Sequence, residues 1–180
     1  MNDHKGFFAM MARMKYIERW ALMRNSVSEN ICEHSLEVAM LAHGLGIIGR
    51  KQFGKDLSPE RLAMLGMYHD CTEIITGDMP TPVKYANDEL KEAYKAIEDS
   101  AAHRLLEMLP EDLRAEYESY FLPEQITPEE YRYVKAADKL SALIKCIEEE
   151  KTGNQEFRSA KQATYESLQQ MNMPEVTVFC

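Results

Sequence analysis

Paired cysteines, strand-like alternation and long apolar runs are all missing from this chain of 180 residues. Its four cysteines show no Cys-x-x-Cys spacing, which argues against a disulfide framework and against a thiolate zinc site. The uncharged apolar runs are too short to cross a bilayer, and the first residues lack the pattern of an export signal. We therefore expect a cytoplasmic protein without a membrane span.

The chain also has fewer basic residues than acidic ones. The chain has 21 lysines and arginines against 30 aspartates and glutamates, and its formal net charge is −9. This charge repels a phosphate backbone, so we expect no nucleic acid polymer as a partner, although a small anion can enter a pocket of focused positive charge. The length suits one globular core, and since no repeat or linker interrupts it, we assign residues 1–180 to a single domain.

Helical periodicity runs through nearly the whole chain. Valine is scarce, and apolar residues recur at three- and four-residue steps, which predicts an all-α fold of about seven helices. Good N-cap signals occur at Asn30, at Ser58 before Pro59, and at Thr127 with Glu130 in the capping-box position. The predicted helices cover approximately residues 4–18, 30–49, 58–75, 87–109, a shorter stretch from 110, 127–150 and 155–171.

The prolines at positions 80 and 82 interrupt this pattern, because proline lacks a backbone donor and restricts the residue before it. Residues 76–83 are therefore predicted to form a stiff loop directly after the third helix.

Histidine and aspartate side chains on the predicted helices indicate a metal site. The candidates are His34 on the second helix, the adjacent pair His69 and Asp70 on the third, and Asp138 on the sixth. Two imidazoles and two carboxylates suit manganese, cobalt, iron or nickel better than magnesium. A lone histidine on an apolar stripe is more often a hydrogen-bonded core residue. A buried aspartate beside a buried histidine, however, needs positive charge nearby, which a metal supplies.

These residues also carry a resemblance to a known family. The strings Glu33-His34-Ser35, His69-Asp70-x-x-Glu73 and Ala137-Asp138 resemble the H…HD…D signature of HD-domain phosphohydrolases. Longer strings at 19–24, 29–36, 67–73 and 76–85 are similar to those of bacterial YfbR-type 5'-deoxynucleotidases. The similarity runs in order from about residue 5 to 170, and the tail from about residue 172 matches poorly.

The resemblance implies a helical HD bundle that hydrolyses deoxynucleoside 5'-monophosphates to deoxynucleosides and phosphate, as a homodimer. It makes one divalent transition metal ion, Co²⁺, Mn²⁺ or similar, the cofactor, with His34, His69, Asp70 and Asp138 as its ligands. Arg19 is expected to orient the phosphate and Trp20 to pack against the sugar. The implied substrate-binding set is Arg19, Trp20, Asp70, Asp78, Met79, Pro80 and Thr81.

Residue chemistry points the same way for Glu73, Arg19 and Trp20. Glu73 lies four residues after His69, one turn along the same predicted helical face, so we assign it proton transfer, either from water or to the leaving 5'-oxygen. The arginine fork of Arg19 matches phosphate oxygens, and an indole beside C2' leaves no room for a 2'-hydroxyl. Lys84 is either a further phosphate contact or a surface charge.

Other classes stay open at this point. An HD enzyme acting on another nucleotide, as a triphosphohydrolase or phosphodiesterase, would keep the ligands but need more basic or histidine residues. A diiron oxygenase would need further histidines and carboxylates that bridge two metals. A non-enzymatic, metal-binding regulatory HD domain would have no reason to keep Glu73 together with Arg19.

Overall fold

The computed structural model describes residues 6–84 and 86–179. Within these residues the chain is helical, and the only extended pairing is one isolated antiparallel bridge between Glu18 and Asn30. The predicted all-α fold is confirmed. The helices are α1 (Phe7–Met11), α2 (Ile31–Phe53), α3 (Pro59–Tyr68), α4 (Glu73–Thr76), α5 (Thr81–Lys84), α6 (Asp88–Leu106), α7 (Glu111–Phe121), α8 (Pro128–Lys151), α9 (Arg158–Gln170) and α10 (Pro174–Phe179), with 3-10 segments at Ala12–Tyr16, Pro123–Gln125 and Gln155–Phe157.

Helix α2 is the central element of the fold. It begins after Asn30, whose side chain accepts from the backbone of Cys32 and Glu33, while the Glu33 side chain bonds back to the cap. This capping box satisfies donors at the helix start that have no partner within the helix. By length and composition α2 could cross a membrane, but 50% of its most apolar 18-residue stretch is buried inside the protein. It packs against α3 and α8 and is a core helix here.

Two hydrophobic clusters share α2 and meet near one of its turns. One cluster joins α2, α3, α8, α9 and α10, and Val38 belongs to it. The other joins α1, α4, α6 and α7, and Ile31 at the start of α2 belongs to it. His34 lies between Ile31 and Val38 and is fully buried, so the packing of both clusters fixes its position.

Helices α2 and α3 approach closely at Gly66. A Cβ atom at this position would lie 3.0 Å from the Cα of Ala39, closer than most Cβ contacts in proteins. Only glycine therefore permits this helix spacing without a shift of backbone. The close approach brings the rings of His34 and His69 to a centroid distance of 5.2 Å.

The third helix is shorter than its periodicity predicts. Helix α3 ends at Tyr68, and the next residues turn, with Cys71 donating to Tyr68 and Glu73 donating to Asp70 through the backbone. Glu73 then opens the separate helix α4. The prediction that His69 and Glu73 lie on one continuous helical face is therefore wrong, because the helix breaks between them.

Other boundaries also differ from the predictions. Residues 81–83 of the expected loop form α5 together with Lys84, since a proline near a helix start loses no internal hydrogen bond. Helix α2 continues to Phe53 instead of ending near residue 49, and Gly54 stops it with a left-handed φ of 64°. Residues 174–179 of the tail form α10. Residues 4 and 5 of the predicted first helix lie outside the described residues.

Candidate active site and metal centre

Three parts of the fold bring the four predicted ligands together. The Nε2 atom of His34 lies 3.2 Å from Oδ1 of Asp138 and 3.4 Å from Oδ2 of Asp70. The Nε2 atom of His69 lies 3.1 Å from Oδ2 of Asp70 and 3.9 Å from Oδ1 of Asp138. His34 comes from α2, Asp138 from α8, and His69 with Asp70 from the turn after α3. Each imidazole therefore faces both carboxylates.

Both imidazole Nε2 atoms are buried without a hydrogen-bond partner. Leaving such atoms unsatisfied is unfavourable, so each one requires an explanation. His34, His69 and Asp70 each offer a ligand atom, and these atoms all lie within 4.8 Å of one another. A divalent transition metal that binds both nitrogens and the nearby carboxylates would satisfy them. The residues present therefore fit the expected metal.

The opposite ring nitrogens fix how the two imidazoles point. His69 Nδ1 lies 2.8 Å from the carbonyl oxygen of Gly66, which can only accept, so His69 donates. Ser141 Oγ donates to Glu37 Oε2 at 2.5 Å and therefore accepts from His34 Nδ1 at 3.0 Å. Since Nδ1 carries a hydrogen in both rings, each ring in its neutral form would direct its Nε2 lone pair into the ligand cluster, as a metal ligand requires.

The charges in the cluster favour a cation. Burial opposes ionisation of Asp70, but His69 and His34 hold its pKa well below the usual range. Burial also opposes ionisation of Asp138, whose pKa is lowered by Lys135 and by the same two histidines. Burial alone would lower the pKa of His69, yet Asp70 and Asp138 raise it to about 10. In the metal-free protein a proton on His69 thus supplies positive charge that a metal would replace.

Arg19 lies directly beside the ligand cluster. Its Nη1 is 3.3 Å from Oδ2 of Asp70, and its Nε is 3.2 Å from Oε2 of Glu29. Burial lowers the pKa of Arg19, but Asp70 and Glu29 raise it above the ordinary value, so the guanidinium stays charged. The structure thus places a positively charged guanidinium of fixed orientation next to the predicted metal position.

Trp20 follows Arg19 on the same loop. Its Nε1 donates to Oε2 of Glu29 at 2.8 Å, and its ring packs against Phe157 at a centroid distance of 5.3 Å. Its backbone has a φ of 60°, in the left-handed region. Asp78 is a neighbour of this loop. Burial raises the pKa of Asp78 above its ordinary value, although Arg19 and a backbone hydrogen bond with Trp20 oppose this. Arg19, Trp20 and Asp78 therefore lie close together.

Glu73 is a buried acid near the same cluster. The residue is 7% exposed, and its Oε2 has no hydrogen-bond partner. Burial, with the charges of Asp70 and Asp78, raises the pKa of Glu73 to about 9, although Arg19 opposes this. The side chain therefore carries a proton at neutral pH in the metal-free protein, which suits a proton donor.

The remaining predicted contacts are less close to this cluster. Met79 and Pro80 are half-buried and Thr81 is exposed at the start of α5, so their role at the substrate stays a prediction. Lys84 donates to Glu98 at 2.9 Å, and its ammonium lies 4.6 Å from the centre of the Tyr94 ring. These bonds hold Lys84 against α6 and do not favour a phosphate contact.

Several supporting residues were not found from the sequence. Glu37 and Ser141 each follow a predicted ligand by three residues on its helix, a spacing that would have revealed them as neighbours of His34 and Asp138. Glu29 lies on a non-helical loop, where no periodicity points to Arg19 and Trp20. Nor did any pattern indicate Glu149, which binds this loop from α8.

Glu149 connects the loop of Arg19 and Trp20 to the end of α8. Its carboxylate accepts from the backbone N–H of Ser26 at 2.9 Å, from that of Val27 at 3.3 Å and from Asn154 Nδ2 at 2.8 Å. Lys145 donates to it at 2.5 Å. The loop is therefore attached to a long core helix, which limits its motion.

A cavity of about 270 Å³ lies beside the same loop. Its charged lining is mostly acidic and repels phosphate, so it is not a phosphate site. It is lined by Ser26, Val27, Ser28, Glu29, Glu33, Glu37, Ile144, Lys145, Glu148, Glu149 and Thr152.

Two solved structures share this architecture. An HD-domain phosphohydrolase from Listeria innocua aligns with a TM-score of 0.80 and 24% identity, covering 96% of this chain and 83% of that chain. A cyanophage S-2L HD phosphohydrolase, described as bound to dA and one catalytic Zn²⁺ ion, aligns with a TM-score of 0.65 and 23% identity, covering 93% and 88%. The chain therefore has the fold of the HD-domain phosphohydrolases.

Sequence relatives narrow this class to one family. The model of the 5'-deoxynucleotidase YfbR-like family matches residues 6–180, including the tail. A 5'-deoxynucleotidase of Vibrio atlanticus is 49% identical over 173 residues, covering 96% of this chain and 89% of the relative. One of Erwinia tasmaniensis is 47% identical over 176 residues, covering 98% and 89%. The chain belongs to the 5'-deoxynucleotidase YfbR-like family, which confirms the family and the hydrolase class that its motifs indicated.

Proposed function

We propose that the protein is a metal-dependent phosphomonoesterase that hydrolyses deoxynucleoside 5'-monophosphates to deoxynucleosides and phosphate. The observation that carries this proposal is the pair of unpartnered Nε2 atoms on His34 and His69, facing two carboxylates, with Arg19 bound to one of these carboxylates. Such a set combines a metal site with an adjacent phosphate-binding cation. The names of the curated relatives support the substrate class.

Each side chain around the cluster has a separate proposed role in the reaction. When bound, a divalent ion supplies Lewis acidity toward the phosphoryl group. Arg19 binds the phosphate oxygens and offsets their charge, because its guanidinium is already oriented by Asp70 and Glu29. Glu73 transfers a proton, either from water or to the leaving 5'-oxygen, because it is a buried acid beside the cluster whose Oε2 has no hydrogen-bond partner.

Sugar recognition is proposed for Trp20 and Asp78. The indole of Trp20 packs beside C2' and leaves no space for a 2'-hydroxyl, so ribonucleotides are disfavoured. Asp78, with Met79, Pro80 and Thr81, lines the nucleoside side. A cyanophage HD phosphohydrolase of the same fold is described as bound to dA, which supports a deoxynucleoside as the ligand class.

One divalent transition metal is the proposed cofactor, with Co²⁺ and Mn²⁺ as the first candidates. Two nitrogen and two oxygen donors suit these ions, and Zn²⁺ in the cyanophage enzyme belongs to the same series. Among the described residues one group of three or more metal-binding side chains is found, which favours a single ion over a diiron centre. A cytoplasmic location is also proposed, since the described cysteines Cys32, Cys71 and Cys146 are free thiols.

A homodimer is the proposed assembly. Leu36, Met40 and Ile47 are 55%, 60% and 37% exposed on α2. Their spacing of four and seven residues places them on one face, away from the buried face that carries His34. An exposed apolar stripe of this kind supports contact with a second copy of the chain.

Phosphate release from a panel of nucleotides tests this proposal. The protein is stripped with a chelator, single metals are returned, and each deoxy- and ribonucleoside 5'-monophosphate is supplied in turn. We expect release that depends on the metal and is faster for the deoxy series. Equal rates for both sugars, or release by the stripped protein, would contradict the proposal.

A further inference from the structure

Both substrate-facing side chains of the loop are held by a single oxygen atom, Oε2 of Glu29. This atom accepts from Nε of Arg19 at 3.2 Å and from Nε1 of Trp20 at 2.8 Å. The side chains of Glu29 and Arg19 are 14% and 11% exposed, so water competes little for these bonds. In the reaction proposed above Glu29 helps to orient Arg19, and no role toward Trp20 or the sugar was assigned to it.

The backbone places Glu29 opposite Arg19. The N–H of Arg19 donates to the carbonyl of Glu29 at 2.8 Å, and the N–H of Ile31 donates to the carbonyl of Ile17 at 2.9 Å. These bonds flank the antiparallel bridge between Glu18 and Asn30. The carboxylate therefore starts from a fixed position, and its two hydrogen bonds lose little further conformational freedom.

Trp20 needs such support because its backbone is strained. A φ of 60° lies in the left-handed region, which residues with large side chains rarely adopt. This conformation persists where surrounding contacts hold it. The Trp20 carbonyl accepts from the N–H of Met23 at 2.9 Å, Phe157 packs on the ring, and Glu29 fixes the indole N–H.

We propose that Glu29 is a positioning residue that sets the selectivity of the site for deoxyribose. This inference rests on the roles proposed for Trp20 and Arg19. An indole excludes a 2'-hydroxyl only if it cannot move aside, and the bond to Glu29 prevents that movement. The same oxygen orients the guanidinium of Arg19, which acts on the phosphate of both sugars. Glu29 therefore affects the deoxy-over-ribo ratio through Trp20 and the KM of every nucleotide through Arg19.

Two variants separate these effects. Glu29→Gln keeps an acceptor oxygen for the indole but removes the charge that orients Arg19, so KM should rise for both sugars while the sugar ratio is retained. Glu29→Ala removes both bonds, so the ratio of kcat/KM for deoxy- over ribonucleotides should fall by about 10- to 100-fold. Glu18→Ala is the matched control, since Glu18 is an exposed glutamate on the same loop. It should retain the wild-type ratio.

Fluorescence gives a second measurement that does not depend on activity. Trp20 is the only tryptophan of the chain, so the emission reports on this side chain alone. In Glu29→Ala the emission should shift to longer wavelength and acrylamide should quench it more strongly, while metal content stays that of the wild type. Glu29→Gln and Glu18→Ala should stay close to the wild-type emission.

The outcomes distinguish this inference from the proposed function. A Glu29→Ala protein with the wild-type sugar ratio and wild-type quenching would overturn the role of Glu29 while leaving the phosphohydrolase in place. A wild-type protein that hydrolyses no nucleotide would overturn the proposed function, and the selectivity role with it. Loss of metal from Glu29→Ala would also count against the inference, since it would show a general collapse of the site.

Discussion

His34 and Ser141 are joined by a hydrogen bond of 3.0 Å between the imidazole Nδ1 and the hydroxyl Oγ, deep between α2 and α8. The hydroxyl of Ser141 donates its hydrogen bond to Glu37 at 2.5 Å, so it can only accept from His34. The bond therefore selects the neutral tautomer whose Nε2 lone pair faces Asp70 and Asp138. A half-buried carboxylate and a buried hydroxyl thus orient the buried imidazole of one predicted metal ligand.

Removing this hydroxyl should weaken metal binding without removing a ligand. In Ser141→Ala, His34 loses the acceptor that fixes its ring, and we expect metal affinity to fall by about 10- to 100-fold. Competition with a chromogenic chelator measures this. Ser35→Ala is the control, because Ser35 is equally buried on α2 but its hydroxyl has no hydrogen-bond partner. Equal affinity in the two variants would show that Ser141 does not orient His34.

Loss of Glu73 should affect catalysis and leave the metal in place. Glu73→Ala removes the buried acid, and the rate of phosphate release should fall by about two to four orders of magnitude. Metal content and nucleotide binding should stay near wild type, because among the described residues no hydrogen bond or ion pair joins Glu73 to the imidazoles. If this variant instead lost its metal, Glu73 would be a ligand and its assignment to proton transfer would be wrong.

Trp20 and Arg19 should give contrasting kinetic effects. Trp20→Ala opens space at C2', so ribonucleotide hydrolysis should rise relative to deoxyribonucleotide hydrolysis. Arg19→Ala removes a phosphate contact common to both sugars, so both rates should fall by similar factors. The values of kcat/KM for matched pairs of nucleotides measure both. A Trp20→Ala enzyme with its full deoxy preference would place sugar selection elsewhere, for example at Asp78.

The carboxylate of Glu149 should make stability depend on acid pH. Burial disfavours its ionisation, but Lys145, Asn154 and the N–H of Ser26 hold its pKa well below the ordinary value. Because the pKa is lower in the folded state, its contribution is complete above the unfolded pKa of about 4.3 and is lost as pH falls below that value.

Urea unfolding across this pH range tests the contribution of Glu149. Glu149→Gln should be less stable than the wild type at neutral pH, and the difference should shrink as the pH falls below about 4.3. Glu148→Gln is the matched control, since Glu148 is an exposed neighbour on α8. A difference between Glu149→Gln and wild type that stays constant with pH would mean that Glu149 acts through shape alone.

Periodic sequence patterns predicted the helical fold well, but they did not predict the local breaks in the helices. Asn30 and Thr127 cap α2 and α8 as predicted, because capping depends on a few adjacent residues. The break after Tyr68 was missed, since apolar spacing continues through it while the backbone turns to place His69 and Asp70.

The candidate site shows the same division. The four predicted ligands could be proposed because imidazole and carboxylate on core-facing stripes are chemically unusual, and because they match the family motif. The positions of Arg19 and Trp20 depend on Glu29, which lies ten residues from Arg19 and contacts it only through a non-helical pairing. No local propensity encodes that contact. Likewise, the raised pKa of Glu73 follows from tertiary burial and from the charges of Asp70 and Asp78.

The central claim is that hydrolysis depends on a metal held by the predicted ligands. It is tested most directly by measuring metal content and phosphate release on the same samples of wild type and His69→Ala. His43→Ala is the control, since His43 lies on α2 outside the ligand cluster. We expect the wild type and His43→Ala to bind one metal ion per chain and to hydrolyse deoxynucleoside 5'-monophosphates. His69→Ala should lose both properties, because its coordination sphere is incomplete. Full turnover by a His69→Ala protein that contains no metal would contradict the account.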